Sequence, residues 1–270
     1  MLGCGNTEVS LAVTSERSVG IVIPAYDPDI LTLERYIKDI RQALSPDAIR
    51  VEIDAPRKSH VDRLNDVAEV NTSNNRRGKG SAIMEGFDAL NTDILAFADA
   101  DGSVPASSLD DIIYQIRKGT TDVSIASRRH PSSHIVAHQT VVRRLLGDAF
   151  AFAARKMLPT QCRDYQCGAK AVKSEAWEAV GHHCYEPGFA WDLEFVSVAG
   201  SLGYEIAEVP VDWEDHPDST VSPFSTSVEL ATALIDVKRR TDAIDTSPRF
   251  RNVKKTERSK LMKLEEEDGD

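Results

Sequence analysis

Two carboxylates one residue apart close the run "DILAFADADGSVP" at positions 93–105. Ile94, Leu95 and Phe97 form the apolar body of a strand, and strand interiors are poor in Asp. Asp99 and Asp101 therefore fall where that strand ends, in a turn with Gly102 and Pro105. Acids at i and i+2 on a bend can face one point and make a hard oxygen site for Mg²⁺ or Mn²⁺, completed by substrate phosphates. The same pair can equally cap the turn and the next helix, which Asp commonly does. Three more charged places accompany them. "NNRRGKGSA" sets Lys79 between two glycines at a helix start, where backbone N–H groups and an ammonium suit an anion; a solvated basic loop has the same composition. Asp54, ending "VEID", can accept hydrogen bonds from a base or ribose. "ASRR" adds Arg128 and Arg129.

The elements that must position these groups follow from hydrophobic period. "SVGIVIPAY" predicts a buried strand over Val19–Ile23, closed by Pro24. Leu33, Ile37, Ile40 and Leu44 recur at helical spacing, and Ser45-Pro46 ends that helix. "IRVEID", "DILAFA" and "DVSIAS" predict further strands; "HVDRLNDVAEV" and "SAIMEGFDAL" predict helices, with "NTSNNRRGKGS" a polar loop. Strand alternating with helix implies an α/β fold with a mostly parallel sheet covered on both faces. Ligands of such sheets sit beyond the carboxyl ends of the strands. Pro24-Ala25-Tyr26, Asp54, Asp99-Ala100-Asp101 and Arg128-Arg129 all fall at predicted carboxyl ends, so they share one edge. The second half adds an amphipathic helix over Val141–Leu158, a strand in "DYQCGAKAV", a helix in "GFAWDLEFVSVAGSLG" stopped by Gly203, a strand in "YEIAEVPVDW" and a helix from Val228 to about Arg240.

The 270 residues suffice for one large domain with a sizeable core. A net charge of −11 argues against nucleic acid as a partner and fits an acidic surface in a high-salt cytoplasm. The four cysteines show no CxxC spacing, which suits reduced thiols in the cytoplasm. The start lacks the pattern of a signal peptide, and no run approaches ~18 apolar residues, so no spanning helix is expected. Residues 1–17 and 241–270 are expected to be flexible, flanking one domain over 18–240.

The ordered series "VIPAY", "VEID", "NNRRGKG", "FADADG", "ASRR", "DYQCGAK", "FAWDLE" and "EVPVDW" resembles family 2 glycosyltransferases of the GT-A fold, and among them the dolichyl-phosphate mannose and glucose synthases. The resemblance spans residues 18–235. It implies a single nucleotide-sugar-binding domain, an inverting hexosyl transfer and a need for Mg²⁺ or Mn²⁺. By position, Pro24, Ala25 and Tyr26 would line the base and ribose of a UDP- or GDP-hexose, with Asp54 binding the same part. Lys79 and Ala100 would complete the donor side, and Asp99 and Asp101 would hold the metal and diphosphate. Arg128, Arg143, Arg144 and Ser219 would meet the phosphate of a polyprenyl (dolichyl) acceptor. Asp164, Gln166 and Lys170 match the segment beneath it, and Asp192 and Glu194 match an acidic pair. Asp27-Pro28 stands where the family has Asn-Glu, "DAPR" where it has "DDGS", and Thr220 where it has Lys, with His216 a substitute donor.

The acceptor stays open between a lipid phosphate and a sugar hydroxyl on a lipid-linked glycan or polysaccharide. A hydroxyl must lose a proton, which would make Asp192 its base, with Glu194 second. A third reading is a sugar-nucleotide-binding protein without turnover. A polyprenyl acceptor lies in a bilayer, so the expected location is cytoplasmic, peripheral on the membrane through Val141–Leu158 and the basic stretch Lys238–Lys263, or through a membrane-anchored partner.

Overall fold

The structure, a computed structural model, describes residues 17–135, 141–214 and 223–246. In chain order its elements are β1 (Val19–Tyr26), α1 (Ile30–Leu44), β2 (Ala48–Asp54), α2 (Lys58–Leu64), β3 (Glu69–Ser73), α3 (Lys79–Ala89), β4 (Ile94–Ala98), α4 (Ala106–Arg117) and β5 (Val123–Ser127). There follow β6 (His134–Ile135), α5 (Val141–Met157), β7 (Ala169–Lys173), α6 (Ser174–Gly181), α7 (Trp191–Leu202), β8 (Ile206–Pro210), β9 (Asp212–Trp213) and α8 (Pro223–Thr246).

Seven strands form one sheet in the order β3-β2-β1-β4-β7-β5-β8. All neighbours run parallel except β7, which is antiparallel to both β4 and β5. The strand alternation is visible in where side chains go. Ile21, Ile23, Ile94, Ala96 and Ala98 join the core beneath α1 and α4; Val22, Leu95 and Phe97 join the opposite core beneath α3 and α7. Both faces of the central strands are buried, so β1 and β4 read as near-continuous apolar runs. The α/β expectation holds, with a mostly parallel sheet.

Helix ends follow local chemistry. Asp29 caps α1 by accepting from the Leu31 amide at 3.1 Å, and Ser45 closes it in the left-handed conformation. Gly203, with φ of 93°, closes α7. Some expectations are revised. β1 continues through Pro24 to Tyr26. "HVDRLNDVAEV" is split: a short helix, then β3, an edge strand beside β2. "YEIAEVPVDW" breaks after Pro210 into β8 and β9, the latter pairing with β6. α8 runs on to Thr246, across the boundary drawn at 240, while the expected flexible ends at 1–16 and 247–270 lie outside the described residues.

Because β1, β2, β4 and β5 are parallel, their carboxyl ends share one edge of the sheet. β7 enters at that edge: its first residue, Ala169, pairs with Ala98, the last of β4. This register brings "DYQCGAK" beside "FADADG".

Cys162, Cys167 and Cys184 are buried and not disulfide-bonded. Burial pushes the thiols of Cys162 and Cys167 up to about 12, and that of Cys184 well above its ordinary value. A group whose pKa is raised stays protonated at neutral pH, and only thiolates react. Native protein treated with a thiol reagent at pH 8 and mapped by mass spectrometry is therefore expected to leave these three unlabelled for as long as it stays folded. Their rapid labelling without unfolding would contradict this packing.

Candidate active site

The turn after β4 is held from three sides. The Asp99 amide donates to the Gly168 carbonyl at 2.8 Å. Asp101 Oδ1 accepts from the Ser103 amide at 2.9 Å, and the Tyr36 hydroxyl donates to the Val104 carbonyl at 2.6 Å. A β-carbon at Gly168 would overlap Asp99 Oδ2, so the glycine of "DYQCGAK" is what lets Asp99 sit there. Asp99 is half-buried, its side chain 35% exposed, and Asp101 is open to solvent.

Asp99 Oδ1 accepts from Lys79 Nζ at 2.9 Å, and the same ammonium lies 2.8 Å from Asp192 Oδ2. The other oxygen of Asp192 bonds Lys170, whose Nζ also donates to the Cys167 carbonyl at 2.8 Å. Both ammoniums lie over the ring of Phe97, at 5.1 and 5.2 Å from its centroid. The result is a chain of alternating charge, Asp99–Lys79–Asp192–Lys170, between β4, α3, α7 and β7. Burial opposes ionisation of Asp192, but Lys170 and Lys79 outweigh it and hold its carboxyl below the usual range. At Asp99 burial wins: desolvation pushes the carboxyl up, Lys79 opposing and Asp101 adding to the rise. Lys79 itself is held above its ordinary value; desolvation works against the charge, and Asp192 and Asp99 more than compensate.

The glycines around Lys79 serve packing. A β-carbon at Gly78, where φ is 97°, would overlap the Pro187 carbonyl; one at Gly80 would overlap the Glu186 carbonyl and sit 2.6 Å from Trp191 Cβ. The Ser81 amide donates to the Pro187 carbonyl at 3.1 Å. "GKG" is thus a seat for loop 186–188, and it turns the lysine inward to carboxylates rather than outward to solvent. Glu194 secures that loop by accepting from the Tyr185 and Glu186 amides, both at 2.7 Å, and it also binds Arg240 of α8.

Asp54 is buried. Its carboxylate accepts from Arg77 Nε at 2.7 Å and from the amides of Arg77 and Gly78 at 2.7 and 3.1 Å. Arg77 also reaches Glu52, a wholly buried acid on β2, at 2.8 Å. Any contact of Asp54 with a base or ribose therefore competes with Arg77. Pro24 and Ala25 are buried, whereas Tyr26 is 44% exposed and carries the Arg76 guanidinium 4.2 Å above its ring.

At the end of β5 the Arg128 guanidinium forks onto Asp164, Nε to Oδ2 at 2.7 Å and Nη2 to Oδ1 at 2.8 Å, and lies 5.6 Å from the Trp213 ring centroid. Burial resists the charge on Asp164, but Arg128 overcomes it and holds the carboxyl far below its usual range. Asp164 is steadied in turn by Glu208, which accepts from the Asp164 and Arg163 amides. Arg128 stands two strand spacings, about 10 Å, along the edge from Asp99. Arg143 and Arg144 lie in the first turn of α5 with side chains outside the described set; Ser219 and His216 lie outside the described residues.

The donor set at Asp99 and Asp101 fits a hard divalent ion by its chemistry: each carboxylate has a second oxygen outside the bonds named, and Asp101 is open to solvent. Among the described residues there is no cluster of three or more His, Cys, Asp or Glu able to hold a metal. Two carboxylates alone leave most positions of Mg²⁺ or Mn²⁺ to substrate oxygens and water. Arg77, Glu52, Glu208 and Arg240 escaped the sequence reading. The one legible signal was Glu52, an acid inside an apolar strand that requires a buried cation nearby.

Comparison with known proteins shows the family and the fold. A sequence model described as glycosyl transferase family 2 matches residues 20–181. The chain is similar to glycosyltransferase AglD of Haloferax volcanii, 30% identical over an alignment of 222 residues that covers 78% of this chain and 35% of that protein. It is similar also to the dolichyl-phosphate beta-glucosyltransferases of Dictyostelium discoideum, 25% identical over 82% of this chain and 74% of the relative, and of Mus musculus, 27% identical over 65% and 56%. The chain thus spans from about a third to three quarters of the length of these relatives. A solved structure of glucosyl-3-phosphoglycerate synthase from Mycobacterium tuberculosis, in complex with Mn²⁺, UDP-glucose and phosphoglyceric acid, superposes with a TM-score of 0.64. It is 16% identical and covers 82% of this chain and 80% of that one. The shared architecture is the GT-A fold.

Gly80→Ala tests the seat of the loop. The added methyl meets a backbone carbonyl that cannot swing aside, and overpacking of this kind costs about 1–3 kcal/mol. The variant is expected to unfold at lower temperature in calorimetry and to expose loop 186–188 to proteolysis. Wild-type stability in both assays would contradict the packing described.

Proposed function

The chain belongs to glycosyl transferase family 2, and from that premise we propose that it moves a hexose from a nucleotide-sugar donor to a polyprenyl phosphate such as dolichyl phosphate, inverting the anomeric carbon. In this reading the donor lies beyond the ends of β1, β2 and β4, where ligands of such sheets sit, with its base by Tyr26 and its diphosphate by Asp99 and Asp101. Mg²⁺ or Mn²⁺ bound to those two carboxylates would supply positive charge to the departing diphosphate. An oxygen of the acceptor phosphate attacks the anomeric carbon as the bond to the diphosphate breaks. The nucleoside diphosphate leaves with the electron pair. Relatives named as dolichyl-phosphate beta-glucosyltransferases, and a fold neighbour bound to UDP-glucose, make UDP-glucose the first donor to try.

One observation carries the choice of acceptor. Asp192, the expected base for a hydroxyl acceptor, is 2% exposed and fixed between Lys79 and Lys170. Its carboxyl is held below the usual range, so it is a weak proton acceptor and a strong anchor. Glu194 is buried beneath loop 185–186 with both oxygens engaged. A phosphate needs no base. It needs cations against the charge of the donor, and Arg128, oriented by Asp164 at the same edge, is one.

Asp101→Asn is expected to remove most transfer, on the order of 10²-fold or more, while leaving the melting temperature within a degree or two, because Asp101 is exposed and contributes little to the core. Chelation should abolish activity in the wild type. The rate should be level from about pH 7 to 9, since no side chain has to give up or take a proton there. Full activity of Asp101→Asn with metal still required would move the site elsewhere. A profile rising with a single ionisation would favour a hydroxyl acceptor.

We place the protein on the cytoplasmic face of the membrane, held peripherally or by a membrane-anchored partner. No helix among the described residues is long and apolar enough to cross a membrane. The described part of α5 buries Ala151 and Ala154, and Leu158 just after it is buried too, but the helix turns Phe152 outward at 59% exposure with Lys156 beside it. With anionic liposomes at low salt the chain is expected to float, and to be lost on raising salt or on the change Phe152→Ser. A truncation that removes the basic stretch belongs after Thr246, because α8 runs on to that residue with Thr241 and Ile244 buried. A wild type that stays in the soluble fraction even with dolichyl phosphate present would leave the anchored partner as the route.

A further inference from the structure

Resting on the metal site proposed above, we infer that Lys79 is a built-in counter-cation that holds Asp99 while no metal is bound and makes metal binding conditional on the donor diphosphate. Its side chain is only 8% exposed, so the ammonium depends on carboxylate partners more than on bulk water. It bridges Asp99 and Asp192 at 2.9 and 2.8 Å. Lys170 holds the far oxygen of Asp192, and the chain of four is neutral as it stands. Removing Asp99 from this chain leaves a buried cation with one partner fewer. A divalent ion arriving alone must both share Asp99 with Lys79 and sit beside a fixed positive charge. A diphosphate arriving with the ion changes the balance, because its oxygens supply the negative charge that the ion and Lys79 both require. Lys79 cannot retreat: Gly78 and Gly80 are locked under loop 186–188, and Phe97 lies beneath the ammonium. Lys79 is thus a positioning residue that acts on the ion through Asp99, and it ties loading of the metal to loading of the donor.

Mn²⁺ binding, read by electron paramagnetic resonance of free Mn²⁺ with and without UDP (GDP in parallel), tests this apart from turnover. Wild type is expected to bind Mn²⁺ weakly alone and much more tightly with the nucleotide. Lys79→Met should bind Mn²⁺ alone at least about tenfold more tightly, and the enhancement by nucleotide should shrink by a similar factor. Lys38→Met, which removes one exposed surface charge and so changes net charge equally, should do neither. If Lys79→Met is unstable, Lys79→Met with Asp192→Asn removes one charge of each sign and carries the same expectation. Should the folded Lys79 variant bind Mn²⁺ alone no more tightly than wild type, while Asp101→Asn has lost nucleotide-dependent Mn²⁺ binding, the lysine has no such role although the metal site stands. Should Asp101→Asn bind Mn²⁺ like wild type, the metal site itself is elsewhere and the inference falls with it.

Discussion

An ammonium buried in a protein must be matched by carboxylates close enough to replace its water. Lys79 meets that requirement from two elements, Asp99 after β4 and Asp192 at the start of α7. Much of the candidate site follows from this. Asp192 needs a second cation, which β7 provides in Lys170 only because β7 runs antiparallel to β4. α3 must approach α7 closely, which requires glycine at 78 and 80. Losing one partner of a buried pair costs about 3–5 kcal/mol, so the four charges fix one another's positions more firmly than packing alone would. The segment that carries the chemistry is rigid because its charges leave it no alternative partner.

Two similar clamps repeat the principle along the same edge. Arg77 joins the ends of β2 and α3 through Asp54 and Glu52; Arg128 joins β5 to the segment before β7 through Asp164. Each fastens a strand end to a distant part of the chain by a forked guanidinium, which is directional where an ammonium is not. The exposed groups, Tyr26 and Asp101, thus sit on a scaffold of internal ion pairs. Net charge says nothing of this, since the paired groups are invisible in the sum.

Much of the fold was legible in the sequence because period and position agree. Strands buried on both faces read as apolar runs, and the charged ends of β1, β2, β4 and β5 fell on one edge by topology alone. β3 was not legible: Glu69–Ser73 is a partly exposed edge strand of turn-prone residues, and its extended form comes from pairing with β2. The direction of β7 was equally hidden, because strand propensity carries no sign. At the site, sequence marked Lys79 as a cation at a helix start but gave no means of distinguishing an anion from outside from carboxylates within. Its partner Asp192 lies more than a hundred residues away, a separation over which spacing says nothing. Asp54 was legible as a strand-end acid for the same reason, and Arg77, which occupies it, was not.

The most direct test of the account is the identity of the acceptor. Purified protein with Mn²⁺ or Mg²⁺ and a labelled nucleotide-sugar panel led by UDP-glucose would be offered dolichyl phosphate, dolichol and a lipid-linked saccharide in parallel. The products would be separated by chromatography and the anomeric configuration read by NMR. The account predicts label on dolichyl phosphate alone, with inverted configuration and loss of product on chelation. Label on the saccharide or on dolichol, with dolichyl phosphate untouched, would contradict it.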